Sequence, residues 1–160
     1  MEHLDITSSF TVYNAVDELP QDIQELMHKA VEVRKTAYAP YSRFKVGAAV
    51  LLSNGITVIG SNQENAAYPS GLCAERVAVF QAGALYPDEK IVAIAITAAS
   101  EDKITNEPIP PCGSCRQSIA EYEMKQNDPI AIYFMGETGK ILKSGSLKNL
   151  LPLVFDKGHL

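Results

Sequence analysis

The chain has 160 residues, of which 46% are hydrophobic and 21% charged, a size and balance that fit one globular domain built on one core. Its formal net charge is −5 with Lys and Arg scattered along the chain, which argues against a polynucleotide partner because nothing is clustered to neutralise phosphates. No apolar run, Ile91 to Ile96 included, approaches the roughly 20 residues of a membrane helix, and the opening MEHLDITSSF lacks a basic-then-apolar leader; a cytoplasmic protein with no membrane partner is expected.

Residues 1–18 show no clear periodicity and read as an N-terminal arm, with residues 19–160 forming a single domain. After Pro20, Ile23, Leu26, Met27, Ala30 and Val31 follow helical spacing and leave Glu25, Lys29 and Glu32 for water. That helix should stop near Pro40, since the residue before a proline avoids the helical region. Val46 to Leu52 and Ile56 to Gly60 flank Asn54-Gly55, a pair suited to a tight two-residue hairpin turn. Cys73 to about Leu85 reads as helix, Ile91 to Thr97 as a strand buried on both faces, Gly113 to about Lys125 as helix, Ile130 to Met135 as strand, and Ser146 to Leu151 as a short helix. The strand–helix alternation from Ile56 to Met135 implies two right-handed crossovers and a parallel section of sheet. The connections after such strands lie along one edge, where open α/β folds place their ligands. Cys73 and the pair Cys112 and Cys115 fall at two of these connections, each at a helix start.

The chain holds three cysteines, an odd number that cannot pair off, so metal ligation or redox chemistry is the better reading than disulfides. Cys73-Ala74-Glu75 and Pro111-Cys112-Gly113-Ser114-Cys115 supply three soft thiolates, enough for a tetrahedral zinc with an open fourth position, the mark of a catalytic rather than structural site. His3, His28 or His159 can in principle complete a structural site, but all three lie far from the motifs. Three thiolates around one divalent ion leave net negative charge; the two helix N-termini offset it, and Arg76, more than Arg116, is the first choice for a thiolate partner. Glu75, two residues from Cys73, is placed to act as general acid and base. Cysteine ligands with a non-ligand glutamate are the signature of the zinc deaminases, which this pattern matches. Alone, Glu75 reads as a solvated first-turn glutamate, Asn62 and Glu64 as loop residues, and Phe44, Tyr68 and Phe155 as core or interface aromatics.

AYAPYSRFKVGAAV at 37–50, NQENAAYPSGLCAERVA at 62–78 and PCGSCRQSIAE at 111–121 closely resemble the cytidine deaminases, over about residues 22–155. Cysteine at the first ligand position is similar to the short, homotetrameric type rather than the larger dimeric type. The resemblance implies a three-layer α/β/α sandwich around a mixed, partly parallel sheet of about five strands. It implies one Zn2+ per chain on Cys73, Cys112 and Cys115, catalysis by Glu75, and conversion of cytidine and 2′-deoxycytidine to uridine and 2′-deoxyuridine plus ammonia in pyrimidine salvage. It further implies that Asn62 and Glu64 hydrogen-bond the ribose 3′-hydroxyl, that Phe44 packs on the base and that Ala74 offers a backbone contact to the pyrimidine carbonyl. Tyr68 and Phe155 match positions that reach a site across a subunit boundary. The arm of residues 1–18 is longer than the family minimum and receives no role. Two rivals remain: a deaminase of a related nucleoside analogue, which the NQEN motif disfavours, and a non-catalytic zinc-stabilised binding module, which Glu75 disfavours.

Overall fold

The computed structural model describes residues 1–160. Six strands, β1 (Phe10–Tyr13), β2 (Phe44–Leu52), β3 (Thr57–Ser61), β4 (Ile91–Ser100), β5 (Ala131–Met135) and β6 (Ile141–Ser144), form one sheet in the order β1-β6-β5-β4-β2-β3. Helices α1 (Gln21–Arg34), α2 (Ala74–Leu85) and α3 (Gly113–Gln126) cover it. β4 and β5 pair in parallel and every other neighbouring pair is antiparallel. β3 runs in the same sense as β4 because both are antiparallel to β2, which lies between them. The parallel section expected from sequence is therefore three co-directional strands with β2 inserted, and the sheet has six strands rather than about five.

Strand residues alternate between two faces, and the sequence puts side chains of different size on each. Val50, Leu52, Ile94, Ile96, Ile132 and Phe134 point to the face covered by α2 and α3, where Ala78, Val79, Ala82 and Ile119 meet them. The opposite face carries Ala49, Ala93 and Ala95, small enough for α1 to approach closely and fill the space with Leu26 and Met27. The result is an α/β/α sandwich with α1 as one outer layer and α2 with α3 as the other. Burying each of the large aliphatic side chains contributes about 1.5–3 kcal/mol, so β4, apolar on both faces as expected, is the strand on which both cores rest. No helix is long and apolar enough to cross a membrane.

Three local readings differ from expectation. α1 ends at Arg34, before Pro40: Lys35, Thr36 and Ala37 donate to carbonyls three residues back, and Tyr38 N then turns away to Asn62 O. Between β2 and β3, Leu52 O accepts from Gly55 N while Leu52 N donates to Ile56 O, with Gly55 at φ 82° and Asn54 not left-handed. That is a three-residue loop whose third residue is the left-handed one, not a two-residue turn with both residues at positive φ. Finally, Phe10–Tyr13 of the expected arm are a strand, paired antiparallel with β6, and Tyr13 meets Tyr133 at 6.5 Å between ring centres. The tail forms a turn of 3-10 helix at Leu147–Asn149, capped by Ser146, and a second at Lys157–His159, capped by Asp156.

Candidate active site

β3 and β4 end on the same side of the sheet, and the loops that follow them lead into α2 and α3. α2 sits directly over β3 at Gly60, where a Cβ would come within 2.6 Å of Ala78 N and 2.7 Å of Ala74 O; glycine there lets the first turn of the helix settle onto the strand. The loop after β4 is held by Thr105, whose hydroxyl accepts from Ser100 N at 3.1 Å and whose carbonyl accepts from Glu137 N at 2.7 Å. Cys73 and Cys112 are the N-cap residues of α2 and α3, both extended, and neither side chain caps its helix. Their thiols are free to face each other.

The sulfurs of Cys73, Cys112 and Cys115 all lie within 4.8 Å of one another. Cys73 Sγ is 3.8 Å from Cys112 Sγ, which is 3.5 Å from Cys115 Sγ. A tetrahedral zinc with metal–sulfur bonds of about 2.3 Å sets its sulfurs about 3.8 Å apart, so the donor set fits one zinc per chain, and none of the three is in a disulfide. The first expectation, that ligands on separate helices meet at one point, is thus met geometrically. His3, His28 and His159 stand apart from this cluster.

The surroundings favour one negative sulfur in particular. Cys73 is lowered to about 5, chiefly by a hydrogen bond from the Cys115 thiol and, against the cost of burial, by Arg76 and Cys112; Cys115 is raised in turn because it acts as donor to Cys73. Arg76 Nη2 lies 3.9 Å from Cys73 Sγ, and its Nε is buried without a hydrogen-bond partner. Arg116 points elsewhere, donating from Nε to Pro111 O and from Nη1 to Leu150 O, both at 2.8 Å. It braces the cysteine loop against the tail and leaves the sulfurs to Arg76. Glu75 is 4% exposed in the first turn of α2, and burial, then the nearby Cys73 charge, push its carboxyl above the usual range.

A cavity of about 510 Å³ opens beside these groups, with Cys73 and Arg76 in its wall together with Asn62, Glu64, Tyr41 and Tyr68. Asn62 is engaged at both ends: Oδ1 accepts from Val46 N at 2.8 Å and Nδ2 donates to Phe44 O at 2.9 Å. One Nδ2 proton remains for a ligand. Glu64 Oε2 accepts from Tyr41 N at 2.9 Å and Ser42 N at 3.3 Å, and hydrogen bonds, the Ser42 hydroxyl first, hold its carboxyl below the usual range. Tyr68 is 76% exposed and its ring lies 6.2 Å from that of Tyr41.

Phe44 and Phe155 are not in this cavity wall. Phe44 starts β2 half-buried, while Phe155 is exposed, stacks on His159 at 5.5 Å and accepts at its carbonyl from Gln117 Nε2. Ala74 is buried at the start of α2. Sequence reasoning did not single out Tyr41 and Ser42, whose backbone N–H groups, with the Ser42 hydroxyl, orient Glu64; the backbone part of that contact leaves no residue type to recognise.

Residues 20–127 match the family described as the cytidine and deoxycytidylate deaminase zinc-binding region. Among similar proteins, a cytidine deaminase of Halalkalibacterium halodurans is 47% identical over 102 residues, covering 62% of this chain and 71% of its own. One from Sporosarcina psychrophila is 38% identical over 141 residues, covering 87% of this chain and 95% of its own. The crystal structure of a cytidine deaminase from Burkholderia pseudomallei superimposes with a TM-score of 0.70 at 36% identity, over 82% of this chain and 97% of that one. With three sulfurs at zinc spacing, a buried glutamate beside them and a family match across both cysteine motifs, this chain belongs to the zinc-dependent cytidine deaminase family.

Proposed function

We propose that the protein hydrolyses cytidine and 2′-deoxycytidine to the corresponding uridines and ammonia, as a step of pyrimidine salvage, with residues 19–160 as the catalytic domain. The observation that carries this reading is that one cavity wall joins Cys73 and Arg76, of the sulfur cluster, to Asn62 and Glu64, with Glu75 buried behind it in the first turn of α2. A zinc ion held by the three cysteines supplies Lewis acidity that makes water nucleophilic near neutral pH.

The protein's own groups do the rest. Water adds to the ring carbon bearing the amine, Glu75 takes the proton released and hands it to the ring nitrogen, then conveys the hydroxyl proton to the amine as the carbon–nitrogen bond breaks. Arg76 offsets the thiolate charge from 3.9 Å. The free Nδ2 proton of Asn62 donates to the ribose 3′-hydroxyl, Glu64 accepts from it, the Ala74 backbone meets the base carbonyl, and Phe44 packs on the base.

Tyr68 and Phe155, exposed by 76% and 59%, complete sites in neighbouring copies of a homotetramer. Light scattering of the active enzyme tests that assembly, and a fully active monomer contradicts it. The chemistry is tested by ammonia release from cytidine: the native protein should produce it and Glu75→Gln, with zinc retained, should not. Zinc-loaded native protein that binds cytidine without turning it over would instead be a binding module.

A further inference from the structure

Arg43 sits between the two halves of the proposed nucleoside site and adopts a backbone conformation foreign to its residue type. Its φ is 54°, in the left-handed region that glycine and asparagine accept more readily than a side chain such as arginine. On its N-terminal side lie Tyr41 and Ser42, whose N–H groups hold the Glu64 carboxylate. On its C-terminal side lies Phe44, whose N–H donates to Ser42 Oγ at 3.1 Å and whose carbonyl accepts from Asn62. Both backbone groups of Arg43 are engaged: N donates to Ala39 O at 3.1 Å, and O accepts from Glu101 N at 2.9 Å. Turning φ to the ordinary negative range would swing Ser42 and Tyr41 relative to β2 and withdraw their donors from Glu64.

The side chain is bound as well. Arg43 Nη1 pairs with Asp102 at 2.6 Å and Nε with Glu101 at 3.3 Å, and Lys45 reaches Glu101 at 2.8 Å. All of these groups are a third or more exposed, so the ion pairs contribute little to holding the turn. The two backbone hydrogen bonds and the left-handed φ are the stronger constraints.

We infer that Arg43 is a positioning residue for nucleoside binding: its left-handed backbone, not its charge, sets Glu64 relative to Phe44 and so tunes affinity for the sugar. This rests on the reading of Glu64 as a ribose contact. The turn is not required for proton transfer, because Glu75 and the cysteines stand on α2 and α3 and share no hydrogen bond with it.

Steady-state kinetics on cytidine separate the contributions. Arg43→Asn removes the charge and keeps the φ preference, and its KM should stay within about 2-fold of native. Arg43→Val removes both, and KM should rise about 5- to 30-fold, as expected for forcing a β-branched residue into the left-handed region, with kcat within about 3-fold. Arg43→Thr serves in its place if the valine variant fails to give a native thermal melt and zinc content. In a Glu64→Ala background the valine change should add less than about 2-fold, because the two act through one group. Equal KM values for the asparagine and valine variants overturn the inference, as does a full additional increment in the Glu64→Ala background. An unchanged KM for Glu64→Ala alone removes the reading of Glu64 and the inference with it, whereas a raised KM there with equal Arg43 variants removes only the inference.

Discussion

The amide of Asn62 donates to the carbonyl of Phe44 at 2.9 Å, so the residue proposed to hold the sugar also ties down the strand that carries the aromatic proposed to pack on the base. Asn62→Ala should therefore show two effects. Losing the ligand hydrogen bond raises KM, at about 1–3 kcal/mol, and leaving Val46 N and Phe44 O unpaired lowers the melting temperature. Glu64→Gln should raise KM with a smaller loss of stability. Free cytosine should be a very poor substrate; comparable kcat/KM for cytosine and cytidine refutes both sugar contacts.

Elemental analysis of the purified protein should find about one zinc per chain, since the sulfurs already stand at the spacing a tetrahedral site requires. Cys115→Ser, which alters the one fully buried ligand, should lose metal and activity together. An active, metal-free protein rules this assignment out.

Glu75→Ala should lower kcat by more than about 100-fold, the scale of general acid–base catalysis, while zinc content and thermal melt remain near native. Isothermal titration with cytidine should still detect binding. Near-normal turnover, measured in a host lacking its own deaminase, contradicts the role.

Glu123 is buried, and its carboxylate accepts from Ile130 N at 2.8 Å, Leu147 N at 2.9 Å and Ser146 Oγ at 2.6 Å. It thereby joins α3 to the start of β5 and to the tail. Glu123→Ala strands two buried backbone donors and should cost about 2–4 kcal/mol, a fall of about 5–15 °C in Tm. Glu123→Gln can keep both amide bonds with its oxygen toward Ile130 N and Leu147 N, loses only the bond donated by the Ser146 hydroxyl, and should cost less. Equal melting of the two variants shows that charge, rather than hydrogen bonding, sustains the contact.

Removing residues 1–14 should bare the edge of β6 and strip the ring of Tyr13 from Tyr133. Calorimetry should show a Tm lower by several degrees, and light scattering should show increased association through the newly open strand. A shortened chain as stable and monodisperse as the full one would falsify a structural role for this segment.

The helices and the central strands were legible because long periodic segments carry their own signal: Ile23 to Ala30 show a helix, and the apolar run from Ile91 shows a strand buried on both faces. β1 and β6 were not, because four-residue strands such as FTVY and ILKS have no period to detect and owe their existence to each other across the sheet. The meeting of Cys73 with Cys112 and Cys115 followed from the strand–helix alternation. The insertion of β2 between β3 and β4 did not, since an antiparallel hairpin leaves open which of its strands faces inward. At the site, residue types with distinctive chemistry are recognisable by pattern, although only Asn62, Glu64, Tyr68, Cys73 and Arg76 of them line the cavity, and Phe44 and Phe155 lie outside its wall as Glu75, Cys112 and Cys115 do. Arg43 escaped notice because nothing in an arginine announces a left-handed φ.

The pairing of β1 with β6 also orders events in time. β1 precedes every other strand in the chain, and its partner follows all of them, with Phe10 opposite Ser144. The β2–β3 hairpin can close from neighbouring residues, but the N-terminal strand has no template until nearly the whole chain is available, and such distant pairings form slowly. Closure entropy grows only with the logarithm of separation, so the distance delays docking more than it weakens the docked state. During that interval β6 stays open to strands of other molecules, which makes protein concentration during refolding, rather than native stability, the setting that decides how much chain is recovered.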